Sequence, residues 1–188
     1  MLRRSSLKRW NRQWQASRTR DIPALDRLTG WLYDHVPAET LRTVVHGDLH
    51  IRNVIFDPMT TQVRAALDWE LCTLGDPLAD LGTTLSCWPE AAEPSIGMVE
   101  ASRVPGFATR KEIAEAYAAA SGRDLDALAF WEVLGMWKIA VICEGVCRRA
   151  LDEPANAADG GPPPASMVDG IVDRALDRAH TRVHRRTP

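Results

Sequence analysis

The 188 residues hold no run of about 18 uninterrupted apolar side chains, so no stretch reads as a transmembrane helix. No excess of one charge stands out either. Lys and Arg number 23 against 25 Asp and Glu, a net −2 that recruits neither nucleic acid nor a membrane surface. Cysteine is sparse: four residues and no secretory leader before them, which points to reduced thiols in a cytoplasmic protein. Two of them, Cys143 and Cys147, would share one helix face and suit a buried apolar stripe better than zinc. Glycine and lysine are scarce near the start, where only Gly30 and Lys8 precede His46. There is no internal repeat. With 45% hydrophobic and 26% charged residues, the chain can still bury the core of one domain or one large lobe.

Charge is unevenly placed. Residues 1–20 carry Arg3, Arg4, Lys8, Arg9, Arg12, Arg18 and Arg20 with no acidic residue before Asp21. An Arg-rich, acid-poor start is how an organellar transit peptide reads. The spacing of Leu7, Trp10 and Trp14 favours an amphipathic helix over 4–17 instead. A second helix is predicted from an Asp21 N-cap, with Pro23 in its first turn, to about His35. Thr43–Val45 reads as a short strand; Val54–Phe56 and Val63–Leu67 read as a β-hairpin around the turn residues Asp57-Pro58. Asp76-Pro77 opens a helix reaching about Trp88, and residues 89–108 are loop. Thr109 to Glu112 spells a capping box for a helix ending near Gly122. The longest helical pattern runs from Asp124 to about Leu151. A Gly/Pro-rich linker over 152–165 precedes a last helix capped at Ser166. The fold class is therefore mainly α with a small β-hairpin.

The polar chemistry concentrates between residues 46 and 80. The run His46-Gly47-Asp48-Leu49-His50-Ile51-Arg52-Asn53 is followed by Asp68-Trp69-Glu70 and Gly75-Asp76-Pro77-Leu78-Ala79-Asp80. Phosphoryl transfer needs a carboxylate near the attacking hydroxyl and oxygen ligands for Mg²⁺ on the nucleotide phosphates. Asp48 and Asn53, five apart around one loop, can face a common cleft that Asp68 reaches from the hairpin.

His46-x-Asp48-x-x-x-x-Asn53 has the spacing of the kinase catalytic loop, and Asp68 stands where the metal-binding Asp of D-F-G stands. With Asp-Trp-Glu and Gly-Asp-Pro-x-x-Asp-Leu after it, the segment resembles the aminoglycoside phosphotransferase/choline kinase family. It is most similar to the branch found beside acyl-CoA dehydrogenases. The motifs cover about residues 43–88. The resemblance implies a protein-kinase-like fold of which this chain is the helical carboxyl-terminal lobe. It divides into leading helices (1–37), catalytic loop, hairpin and metal motif (41–88), helical subdomain (109–151), linker (152–165) and terminal helix (166–188). It implies ATP and Mg²⁺, a small-molecule hydroxyl acceptor, Asp48 as catalytic base, and Asn53 and Asp68 as Mg²⁺ ligands. His46 would brace the loop and Asp80 would accept hydrogen bonds from its backbone. His50 and Glu70 are candidates to face the substrate.

Metallophosphoesterase motifs are also similar to the Gly-Asp-Leu-His and Gly-Asp-Pro runs. That family needs a Gly-Asn-His segment and a parallel sheet, and this sequence has no Gly-Asn dipeptide. Trp69 and Glu70 depart from the Phe and Gly of protein kinases, which argues against a mobile activation segment. The glycine-rich loop and strand lysine of a kinase are not found before His46, so an amino-terminal lobe is expected to be missing or supplied by a second chain. Two functions follow: a phosphotransferase in truncated form, or a catalytically silent remnant that binds a ligand or partner. The surface such a lobe would cover is expected around the first helix, at Trp10 and Trp14.

Overall fold

A computed structural model describes residues 2–38, 41–91, 93, 100–156 and 161–184. The elements run α1 Leu2–Ser17, α2 Pro23–Asp34, β1 Thr43–Val45, β2 Val54–Phe56, β3 Val63–Ala66, β4 Thr73–Gly75, α3 Leu78–Ser86, α4 Arg110–Ser121, α5 Leu128–Asp152 and α6 Ala165–His184. Single 3-10 turns occupy Ile51–Asn53, Trp69–Leu71, Glu100–Arg103 and Pro154–Asn156. The chain forms two compact units, Met1–Val36 with Met136–Pro188, and Pro37–Gly135.

The first unit is helical and holds together by apolar burial. Leu7 and Trp14 on α1, Leu25, Leu28 and Leu32 on α2, Trp137 and Val141 on α5, and Val168, Ile171 and Ala175 on α6 are all buried. These are helix-face spacings of three, four and seven, so each helix offers one stripe. Polar tips inside are matched: Trp137 Nε1 donates to Thr29 Oγ1 (2.9 Å), and Trp14 Nε1 to Asp26 (2.9 Å). The buried Glu144 carboxylate accepts from the backbone N–H (3.0 Å) and hydroxyl (2.8 Å) of Thr19. Cys143 is buried too, and desolvation pushes its thiol up to about 11, which leaves it inert as a nucleophile.

Three sequence expectations shift here. Asp21 is not the cap of α2; its carboxylate pairs with Arg18, and Ile22 occupies the N-cap with no side-chain bond. Ser166 lies inside α6, which begins one residue earlier at Ala165. Of the two tryptophans expected at an exposed face of α1, Trp14 is 0% exposed and packs in the core, while Trp10 is half-buried. Of the expected loop and linker, residue 92, residues 94–99 and residues 157–160 lie outside the described residues.

The second unit carries two small antiparallel sheets. β2 pairs with β3 as the sequence suggests, Val54 opposite Ala66, with an irregularity between Ile55 and Phe56. The connecting turn is built by Asp57, whose Oδ1 accepts from the N–H of Met59 (2.8 Å) and Thr60 (2.9 Å). β1 pairs with β4, Thr43 opposite Gly75 and Val45 opposite Thr73. That pairing joins residues about 30 apart and had no local signal. Outward apolar residues stand open on both sheets, among them Val44 (62%), Val63 (63%) and Leu74 (53%).

Helices α3 and α5 meet backbone to backbone. A Cβ on Gly82 would lie 2.6 Å from the Trp131 backbone, and one on Gly135 would lie 2.4 Å from Ser86 Oγ. Helix α4 carries the expected capping box, with Thr109 and Glu112 satisfying each other's backbone N–H, and ends on Gly122 at φ +66°. Arg110 knots the preceding loop. Its backbone N–H donates to Glu90 (2.9 Å), and its guanidinium donates to Glu93 (2.8 Å) and the Trp88 carbonyl (3.3 Å). Burial alone would lower the guanidinium's pKa. The Glu93 bond and the nearby Glu90 and Glu132 charges outweigh it and raise it, so Arg110 stays a cation.

Candidate active site

The site is the loop between β1 and β2, closed from below by α3. Asp76 starts α3 by accepting the Leu78 N–H (3.0 Å), which turns the first helical turn toward the loop. Asp80 then accepts two backbone N–H bonds, from His46 (2.7 Å, Oδ2) and Gly47 (2.8 Å, Oδ1). One turn further on, the Thr84 hydroxyl donates to the Leu49 carbonyl (2.8 Å). A single face of α3 therefore grips the loop at three consecutive points. Thr84 escaped the sequence reading, although its position four after Asp80 places it on the same face.

Gly47 has φ +88°, and a Cβ there would meet the Leu71 carbonyl oxygen at 2.5 Å. Both facts require glycine between His46 and Asp48. His46 is buried, and both its ring nitrogens are engaged. The Asp48 N–H donates to Nδ1 (3.3 Å), so Nε2 carries the proton and donates to the Leu67 carbonyl (2.7 Å). The ring thereby ties the catalytic loop to the residue preceding Asp68. Trp69 packs over the same ring, with centroids 4.7 Å apart, and anchors its own Nε1 on the Ala66 carbonyl (2.8 Å).

Asn53 closes the loop. Its Nδ2 donates to the Asp48 carbonyl (2.9 Å) and reaches Asp48 Oδ2 at 3.3 Å, and its backbone carbonyl accepts from the Leu67 N–H (2.8 Å). Because the amide nitrogen is spent on Asp48, the amide oxygen is left as a free acceptor. Asp68 sits at φ +62° and ψ +59°, a left-handed conformation uncommon for a residue other than glycine, and its side chain is exposed. His50 Nε2 stands 3.5 Å from Asp48 Oδ2. Glu70 lies exposed in the Trp69–Leu71 turn and forms no hydrogen bond or ion pair among the described residues. The structure thus links His46, Asp48, His50, Asn53 and Asp80 directly and reaches Asp68 through its neighbour Leu67; it gives Glu70 no link to them.

The donor set fits Mg²⁺. Asn53 offers one amide oxygen and Asp68 one exposed carboxylate, both hard oxygen ligands, and Mg²⁺ normally completes its shell with water and substrate phosphates. Among the described residues no three or more His, Cys, Asp and Glu side chains gather into a group that could hold a metal ion. No helix of the described residues is long and apolar enough to cross a membrane.

Residues 2–131 match the phosphotransferase enzyme family, APH. Acyl-CoA dehydrogenase family member 10 of Mus musculus is 36% identical over 155 residues, covering 79% of this chain and 14% of that protein. Acyl-CoA dehydrogenase family member 11 of Homo sapiens is 34% identical over 147 residues, covering 76% of this chain and 19% of that protein. The chain thus spans less than a fifth of the length of these two relatives. A solved structure from Ralstonia eutropha JMP134, provisionally named an aminoglycoside phosphotransferase, superposes with a TM-score of 0.73 at 29% identity over 95% of this chain and 55% of its own. The kinase-like fold and the catalytic-loop sequence agree with the family match, and the chain belongs to the APH phosphotransferase enzyme family.

Proposed function

We propose that this chain is the catalytic-loop part of an ATP-dependent phosphotransferase that acts on a hydroxyl of a small molecule. The observation that carries the reading is the closed loop. Asp80 and the His46 ring hold its backbone, Asn53 holds the Asp48 carbonyl and carboxylate, and that carboxylate remains 40% exposed at its rim. In this reading Asp48 orients the acceptor hydroxyl and takes its proton, while Asn53 and Asp68 are the protein ligands of Mg²⁺. When bound, the ion would neutralise charge on the nucleotide phosphates. Positioning and charge supply most of such a reaction, which suits a site held by hydrogen bonds to fixed backbone.

The acceptor is better sought among hydroxylated acyl thioesters than among aminoglycosides. A polycationic acceptor wants uncommitted carboxylates. Here Glu90 and Glu93 are held by Arg110, Glu100 pairs with Arg103 (2.9 Å), and Asp124 accepts the Asp126 N–H, so of this group and Glu70 only Glu70 and Asp126 keep carboxylates without a partner among the described residues. The relatives' names add acyl-CoA chemistry to the same side of the balance.

A second reading, a silent module that binds a partner, is favoured by the open apolar faces of the two sheets. Residues 1–45 hold a single glycine, Gly30, and a single lysine, Lys8, too few for a glycine-rich phosphate loop with its strand lysine. The chain alone is therefore expected to turn over ATP no faster than background. The test measures phosphate transfer from MgATP to a panel of hydroxyl acceptors, with the chain alone and joined to a nucleotide-covering lobe. Transfer by the joined form, lost in Asp48→Asn, supports the first reading. A joined form that binds MgATP and transfers nothing to any acceptor supports the second.

A further inference from the structure

The loop contains two histidines in contrasting settings. His46 has both ring nitrogens bonded to backbone, the arrangement of a structural brace. His50 has neither nitrogen on backbone. Its Nε2 lies 3.5 Å from Asp48 Oδ2, and its Nδ1 is buried with no partner among the described residues. The side chain is 12% exposed, so its orientation is fixed by packing rather than by solvent.

A neutral imidazole carries its proton on one nitrogen. A bare Nε2 lone pair facing a carboxylate oxygen would be repulsive, so the proton belongs on Nε2 and Nδ1 is the bare nitrogen. Asp48 Oδ2 then faces two N–H donors, Asn53 Nδ2 at 3.3 Å and His50 Nε2 at 3.5 Å. Oδ1 has no such donor among the described residues. The two carboxylate oxygens are therefore inequivalent, one held and one open.

We infer that His50 is a positioning residue. With Asn53 it clamps Oδ2 of Asp48 and so reserves Oδ1 for the acceptor hydroxyl. The inference rests on the phosphotransferase reading for its consequence and on geometry alone for the clamp. His50 neither carries the transferred phosphoryl group nor takes the hydroxyl proton, which goes to Oδ1. Its backbone carbonyl also accepts the Asn53 N–H (2.9 Å), so one residue sets both the catalytic carboxylate and the residue assigned to the metal. A carboxylate held by Asn53 alone would be free to swing, and misplacing a reacting group by about 1 Å costs on the order of 100-fold in rate.

The experiment has two arms. In the first, the ¹⁵N-labelled full chain is examined by NMR at a fixed neutral pH for the imidazole protonation pattern. The expected result is His50 protonated on Nε2 and bare on Nδ1, with its Nε2 resonance displaced in Asp48→Asn. The His46 Nε2 signal, which reports the bond to the Leu67 carbonyl, should stay put and serve as a fold control. His50 protonated on Nδ1, or an Nε2 resonance indifferent to Asp48→Asn, overturns the clamp. The second arm measures phosphate transfer in the form joined to a nucleotide-covering lobe. His50→Ala should lower kcat about 10- to 100-fold with KM for ATP unchanged. His50→Gln, which can offer an N–H at similar reach, should recover most of it, and His50→Ala should add little in the Asp48→Asn background. Unchanged kcat in a folded His50→Ala overturns the inference and leaves the phosphotransferase reading intact. A displaced Nε2 signal with no transfer by the unsubstituted protein keeps the clamp and removes the reading.

Discussion

In the helical unit, Trp14, Trp137, Leu25 and Leu28 are wholly out of solvent, and its polar groups mostly serve to satisfy what that burial traps. In the unit that carries Asp48, the strands leave Val44, Val63 and Leu74 more than half exposed. There the loop is held instead by directed bonds: Asp80 to two N–H groups, His46 to Leu67, Thr84 to Leu49, Asn53 to Asp48. Apolar burial is non-directional and tolerates small shifts. Hydrogen bonds to fixed backbone set atoms to within tenths of an ångström and leave the outer surface free for a ligand or partner. Damage to the two units should therefore be felt differently, in stability for the first and in turnover for the second.

The largest effect is expected where the directed bonds end in chemistry. Asp68→Ala, in the form joined to a nucleotide-covering lobe, should lower Mg²⁺-dependent transfer by about 1,000-fold or more. Asp68 is exposed and bonds to no other side chain among the described residues, so the thermal midpoint should fall only by what alanine costs at φ +62°, about 1 kcal/mol. Rates over a range of Mg²⁺, beside a melting curve, check both halves. Turnover and Mg²⁺ dependence like those of the unsubstituted protein would take Asp68 out of the site and dissolve the contrast.

Trp137→Ala probes the opposite side. The ring is fully buried and its Nε1 donates to Thr29, so the loss leaves a cavity and a hydroxyl without its donor. The expected cost is about 3–5 kcal/mol, read from urea unfolding, with little change in the loop around Asp48. Gly82→Ala tests the seam between α3 and α5 within the catalytic unit. The added methyl meets the Trp131 backbone at 2.6 Å, which neither helix can yield cheaply. About 1–3 kcal/mol should be lost, and because α3 also carries Asp80, kcat should fall as well. A Gly82→Ala protein that loses stability and keeps its full rate would show that the α3 grip on the loop is dispensable.

Legibility in the sequence follows the same division. Elements with a local signature were readable: the capping box at Thr109, the Gly122 stop, the helical stripes and the Asp57 turn all depend on residues within a few positions of one another. The family was readable because its motifs stand in one order within a single stretch of about residues 43–88, and the family match over residues 2–131 bears that resemblance out. What depends on distant partners was not. Nothing near Thr73 announces its pairing with Val45, and nothing near Trp14 tells whether its stripe meets solvent or other helices. Asp21 was misplaced because two roles compete for one carboxylate. Capping an N-terminus and pairing with Arg18 are both local, and only the folded turn decides between them. Within the site, His50 was readable only as a residue that could face the substrate, since motif spacing says nothing about which nitrogen meets which oxygen.

The smallest effect is expected at the hairpin turn, where pH separates the two units. The Asp57 carboxyl lies below its ordinary value. The Arg64 guanidinium bonded to it is the main cause, and the Met59 and Thr60 N–H groups add to it. A carboxyl with a lowered folded-state pKa contributes stability that is present above the unfolded value, near 3.8, and is lost as pH falls through the folded value. The loss should therefore begin below about pH 5 and be complete only under strongly acid conditions. Because the Arg64 side of the pair is exposed, solvent screening keeps its worth small. Asp57→Asn keeps an oxygen for the Met59 and Thr60 N–H groups and removes only the charge that Arg64 sees. Melting temperatures of the two proteins should differ slightly at neutral pH, less in high salt, and converge toward pH 2. Asp57 lies across the hairpin from the catalytic loop, so kcat should not change. A gap that persists in strong acid would assign the difference to the turn's geometry instead of its charge, and the hairpin would then owe as little to ion pairing as the apolar core of the helical unit.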